Sequence, residues 1–220
     1  MPKLIPEWLW PRLTPLSPEE ETRQLAWLRS EREKVDQGSW ANKSDVALEE
    51  ARRLFDAEHE RRRGADSKAG LYLAAITALI PILATLLPGL WDEQISRSLR
   101  GTLLGIFICA LLYLMRAGLW ALQTIKTAPA AQLGAGDIAE SCSSDKPEEK
   151  LVKYLLSAVI YNFTGTNQKI SCIKMTHEFL LRAFFCFVVF LATQAVWPAA
   201  AWAIGRLYNE IITPLMSCFP

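Results

Sequence analysis

Histidine is almost missing from this chain: His59 and His177 are the only two, and neither has a ligand-spaced neighbour. That removes the usual basis for a metal site. The cysteines, Cys109, Cys142, Cys172, Cys186 and Cys218, form no C-x-x-C pair, and two fall inside apolar runs. A disulfide framework is not expected from such a set. The formal net charge is +1, so nothing argues for nucleic acid as a partner. No nucleophile elbow, H-E-x-x-H or phosphate loop is present, and no acid pair with a plausible pocket. The acids sit instead among arginines on helix faces, where i,i+4 pairing such as Glu58–Arg62 and Arg62–Asp66 accounts for them. The expectation is a chain that is not an enzyme and carries no cofactor. Residues 1–14 hold Pro2, Pro6 and Pro11 and no apolar core, so no signal peptide is expected. A transporter would need midplane polar groups and an internal repeat, and neither is visible.

What the chain has is apolar residues bunched into three blocks, roughly 69–90, 101–125 and 183–205. The organising stretch is 61–90, RRRGADSKAGLYLAAITALIPILATLLPGL, in which a basic flank leads into about twenty uncharged residues. At about 1.5 Å per helical residue such a run crosses a hydrocarbon core of about 30 Å. Lys and Arg number thirteen in 1–68 and seven in 126–182, against three in the outer loop and tail. The bias places the N-terminus in the cytoplasm and the C-terminus outside.

The fold class expected is therefore all-α: an integral membrane protein with three transmembrane helices and a cytoplasmic membrane-proximal helical bundle. Residues 1–16 form an irregular lead-in whose Trp8 and Trp10 touch the interface or a partner, or cover a helix of their own chain. Residues 17–66 read as a cytoplasmic helical hairpin. Ser17-Pro18-Glu19-Glu20 is a capping box with Pro at the first helical position, and 36–39 stop that helix. A second helix from near Ser44 carries Ala47, Leu48, Ala51, Leu54 and Phe55 at helical spacing, and continues into the first span with a kink anticipated at Gly64. Residues 67–125 form a transmembrane hairpin, with Pro81 kinking the first span, Pro88-Gly89 ending it and Trp91 at the interface. Residues 126–146 read as a flexible cytoplasmic linker. Residues 147–205 are a cytoplasmic helix continuing into the third span, and 206–220 an external tail. The bundle should pair about 44–64 with 148–182. Whether 162–169 is helix or loop stays open.

Three sets of residues stand out. The first is the boundary motif Arg62, Asp66, Ser67, Lys68 and Gly70, in which Asp66 caps the span or pairs with a neighbouring arginine. The second, for polar packing or switching, is Arg116, Asn162, Asn167, Lys169 and Arg182. Arg116 lies about 22 Å along its span from Gly101, where it snorkels to headgroups or faces a pore. The third, for close helix packing, is Ala74, Ala78, Gly101, Gly105, Ala195, Ala199 and Ala203. Spans two and three are expected to pack along Gly101 and Gly105 against Ala195, Ala199 and Ala203.

Asp66-Ser67-Lys68-Ala69-Gly70, after the Arg/Glu-rich helix 51–63 and before an apolar helix, resembles a motif of small prokaryotic membrane proteins. These are the SLATT-type two-helix effectors and the transmembrane effectors of Pycsar-like systems. Tyr161-Asn162, Asn167-Gln168-Lys169 and Arg182, running into the last span, are similar to the segment after the hairpin in three-span relatives. The resemblance covers about 52–125 and 150–205. It implies a bacterial inner-membrane effector of antiviral defence, which oligomerises and damages the bilayer when a soluble sensor or nucleotide signal triggers it. This chain departs from the fuller versions in having no separate nucleotide-sensing domain, which leaves the N-terminal hairpin and the 145–180 helix to receive any signal. The partners expected are the lipid bilayer and further copies of the chain. The alternative is a membrane anchor or adaptor that recruits a soluble partner through 1–63.

Overall fold

The computed structural model describes residue 6 and residues 9–40, 43–91, 96–126 and 129–207. The expectations for Trp8, the side chain of Trp91, residues 92–95 of the loop and the tail from 208 lie outside the described residues. Among the described residues the chain is all-helical: α1 (Pro18–Gln37), α2 (Ser44–Leu86), a 3-10 turn (Pro88–Trp91), α3 (Arg97–Ile125), α4 (Ala135–Cys142) and α5 (Pro147–Leu207). α2, α3 and α5 are long and apolar enough to cross a membrane.

Local chemistry sets the ends. The Ser17 hydroxyl accepts from the Glu20 N–H at 3.2 Å, and the Glu20 carboxylate accepts from the Ser17 N–H at 2.9 Å. Two of the donors orphaned at the start of α1 are thus satisfied. After α1 the chain passes Gly38, where a Cβ would lie 2.7 Å from the Trp40 ring; any larger residue there would make Trp40 shift. α2 runs unbroken through Gly64, and Pro81 lies inside it.

Two expectations change here. The 126–146 segment is not a linker without regular structure, because it contains α4. Asp137 accepts from the Gly134 N–H at 2.8 Å, and Ser141 and Ser143 bond back to carbonyls four residues earlier. The small residues that suggested a linker leave room for this short turn of helix. The open question over 162–169 is also resolved: the segment is helical, within a 61-residue α5. Asn162, Asn167 and Lys169 have partners of their own, and Thr164 and Gln168 are exposed.

The chain divides into two compact units. Unit one comprises Met1–Ala75 with Gly118–Thr176, and unit two Ile76–Ala117 with His177–Pro220. In unit one, Ala51 of α2 packs on Val152 and Leu155 of α5, with Trp40, Phe55 and Leu133 against them. α1 lies on α5, with the Trp27 and Phe163 rings 5.3 Å apart.

In unit two, α3 buries Leu103, Phe107, Ala110, Leu114 and Ala117, a four-three-four-three repeat that makes one seam along the helix. Phe107 meets Phe190 of α5 at 6.0 Å between ring centres, and Tyr113 meets Phe179 at 6.2 Å. This corrects the small-residue expectation. Gly101, Gly105, Ala195, Ala199 and Ala203 are all exposed, and a Cβ at Gly101 or Gly105 would have nothing within 4 Å. The seam mixes large side chains (Leu103, Phe107, Leu114) with alanines (Ala110, Ala117) at the inward positions, and the glycines fall on the opposite arc of α3.

In their most apolar stretches, α2, α3 and α5 bury only 17%, 33% and 17% of residues. Leu71, Ile80, Phe184 and Phe185 stand open. Apolar surface on this scale needs a neighbour other than water.

Candidate functional site

Unit one contains a seam of buried polar groups. On α5 the buried polar residues are Asn162, Thr166, Lys169 and Thr176. Their spacing of four, three and seven keeps them on one face of the helix. Glu58 of α2 and Thr124 of α3 are buried as well. The two threonines at 124 and 176 bond back to the carbonyls of Trp120 and Cys172, which satisfies a hydroxyl without a second helix. The Thr166 hydroxyl and one Glu58 carboxylate oxygen are buried with no hydrogen-bond partner among the described residues.

Three long-range contacts cross the seam. The Lys169 ammonium donates to Asp66 at 2.5 Å. Arg61 donates to Glu58 at 2.7 Å and, through its other terminal nitrogen, to Asn167 at 3.0 Å. The Asn162 amide makes a reciprocal pair with Ala131: it accepts from the backbone N–H and donates to the carbonyl, each at 2.9 Å. Asn162 so provides for a stretch of chain without secondary structure the two bonds a neighbouring strand would give.

Around the seam lie further ties. Lys153 donates to the Asp36 carbonyl at 2.9 Å, joining α5 to the end of α1. Glu140 of α4 accepts from Lys150 at 2.9 Å and from Tyr154 at 3.1 Å. The Lys150 bond, then the Tyr154 bond, hold the Glu140 carboxyl below its ordinary value, and Glu140 in turn raises Lys150. Burial pushes the Cys172 thiol up, which keeps it a protonated, unreactive packing group.

The boundary and switch residues thus sort into places the sequence only partly indicated. Asp66 and Lys169 come together, Asn167 meets Arg61 of the same helix as Asp66, and Asn162 turns to Ala131 instead. Asp66 is not a cap, because α2 is helical on both sides of it and offers no exposed N-terminus there. Nor do the anticipated i,i+4 pairs carry these acids: Glu58 takes Arg61, and Asp66 takes Lys169. Ser67, Lys68 and Gly70 are exposed, as are Ala74 and Ala78. Arg62 and Arg116 are half-buried and engaged. Arg182 lies in unit two, bonded to the Glu178 carboxylate at 2.6 Å within its own helix. Arg61, Glu140 and the Ala131 backbone were not singled out from sequence. Arg61 is one of three successive arginines that no pattern separates, and Glu140 gains meaning only once α4 exists.

Chemically, the seam is an arrangement of paired charges and amides between α2 and α5, with one Glu58 oxygen and the Thr166 hydroxyl left over. A shallower groove of about 210 Å³ runs between α1 and α5, lined by Leu25, Leu28, Arg29, Arg32, Tyr161 and neighbours. Comparison with protein-family models, curated proteins and solved structures finds no match for this chain.

Proposed function

We propose that this protein is a non-enzymatic inner-membrane effector that self-associates and perturbs the bilayer when triggered. α2, α3 and α5 span the membrane, the N-terminus lies in the cytoplasm, and unit one forms the membrane-proximal bundle. The observation that carries the reading is the uncovered state of the apolar helices. Gly70, Ala74 and Ala78 are exposed along α2, and a Cβ at Gly70 would meet nothing within 4 Å. A helix face of small residues lets a second backbone approach closely in lipid. The tie from Asp66 of the same helix to Lys169 of α5 supplies a contact whose release a trigger can exploit.

The test is controlled expression in bacteria with its genomic neighbours, following membrane potential with a voltage-sensitive dye. Wild type should depolarise the cells, and an equally abundant Ala74→Leu, Ala78→Leu variant should not. Unchanged potential and viability with wild type would remove the effector reading; equal depolarisation by both would remove the α2 interface.

A second reading, an adaptor for a soluble partner, is favoured by the α1–α5 groove, where Leu25 and Tyr161 are exposed beside Arg29 and Arg32. Because α5 forms one wall, the partner would be captured by the whole chain and not by residues 1–63 alone. A Leu25→Glu variant of the full chain should then lose that partner.

A further inference from the structure

We propose that unit one carries a phosphate-binding groove, fitted to the headgroup of an anionic lipid, between the end of α3 and the middle of α5. The cavity measures about 410 Å³, and its lining includes Gln123 and Lys126 from the α3 end and Gly165, Gln168, Lys169 and Cys172 from α5. Among the described residues no carboxylate lines it.

The lining suits an anion in kind: it holds two lysines and two primary amides, residue types that can supply N–H donors. Lys169 is buried in the wall and fixed by Asp66, which uses one of its three donors. Lys126 is exposed and has no ion-pair partner among the described residues. Gln123 and Gln168 are also exposed, and Gly165 contributes no side chain to fill the space. The last carbonyls of α3 oppose an anion with roughly half a unit of negative charge. Asp66 balances the Lys169 charge, and the Lys126 charge exceeds that half unit.

Position selects the source of the phosphate. Lys126 is the first residue after α3, whose run 101–125 is apolar apart from Arg116 and a few small polar groups. With α3 across the membrane, this places the groove mouth at the depth of lipid phosphates, where lysines hold anionic headgroups. The inference therefore rests on the membrane reading above.

The experiment uses the full chain in neutral detergent, with thermal unfolding followed during titration of phosphatidylglycerol, phosphatidylcholine or inorganic phosphate. Phosphatidylglycerol should raise the unfolding midpoint and phosphatidylcholine should not. A Lys126→Gln, Gln168→Ala variant, altered only at exposed side chains, should unfold like wild type without lipid and need roughly tenfold more phosphatidylglycerol. Lys174→Gln, which removes an exposed charge from the same helix outside the groove, should respond like wild type. The same groove-dependent stabilisation by inorganic phosphate would support the site and assign it a soluble ligand. Equal response to both lipids, or a phosphatidylglycerol response that survives the double variant or falls equally with Lys174→Gln, would overturn the groove. A chain that stays dispersed without detergent would overturn the membrane reading. A detergent-dependent chain indifferent to phosphatidylglycerol and phosphate would overturn the groove alone.

Discussion

Lys169 of α5 and Asp66 of α2 meet at 2.5 Å, yet their side chains are 6% and 41% exposed. The pair is lopsided: the cation is deep and the anion reaches water. Removing the anion leaves a buried ammonium without its partner, while removing the cation leaves a carboxylate that water can solvate. Asp66→Ala should therefore lower stability by about 1–3 kcal/mol, and Lys169→Met by less than about 1 kcal/mol. Thermal unfolding of both variants in one detergent checks the order. Equal losses would mean that both charges are equally desolvated.

Asn162 spends its whole amide on the Ala131 backbone. Asn162→Ala should leave a part-buried N–H and carbonyl of Ala131 without these bonds, at a cost of about 1 kcal/mol. Asn162→Asp keeps the acceptor but sets a carboxylate against the Ala131 carbonyl, and should be no better. The local readout is proteolysis: cleavage within 129–134 should quicken in both variants while cleavage in α1 stays unchanged. An unaltered digestion pattern would show that Leu133, packed against the Ala51 cluster, holds this segment without help.

How much of this was legible depends on range. The α1 cap, the start of α2 at Ser44 and the three apolar helices are written in neighbouring residues, and each appears where the spacing placed it. Asp66 and Lys169 stood out individually, but their meeting spans 103 positions and no local pattern announces it. The choice of Lys169 over the nearby arginines as the partner of Asp66 depends on the rotation of α5 against α2. The glycine stripe on α3 misled because small residues are equally compatible with two arcs of a helix. The burial of the Leu103–Ala117 seam and the Phe107–Phe190 contact show which arc is packed.

That contact makes a direct comparison possible. Ala110 is fully buried on the α3 seam, whereas Gly105 is exposed with open space before it. Ala110→Leu should overpack the seam and cost about 1–3 kcal/mol. Gly105→Leu should stay within about 0.5 kcal/mol of wild type, as surface changes do. Unfolding midpoints in detergent, at protein concentrations low enough to keep the chain monomeric, decide it. A large loss at Gly105 would restore the small-residue packing of spans two and three.

The clip between α4 and α5 has a definite pH window. Glu140, held below its ordinary value chiefly by Lys150, contributes stability that is present above the unfolded glutamate pKa of about 4.3. That contribution is lost as pH falls through the lower folded value. Lys150, raised by Glu140, contributes stability that is present below the unfolded lysine pKa of about 10.4. It is lost as pH rises through the higher folded value. The clip is therefore closed across neutral pH and opens at both extremes. Both partners face solvent, so salt screens them and the effect is local to α4. Amides in 137–142 should be protected from hydrogen exchange at neutral pH and lose that protection, relative to intrinsic rates, below about pH 4. Glu140→Gln keeps the shape but removes the charge, and should show the low-pH behaviour already at neutrality. Equal protection in wild type and variant at both pH values would assign the docking of α4 to the backbone bonds around Gly134 and Ser143 instead.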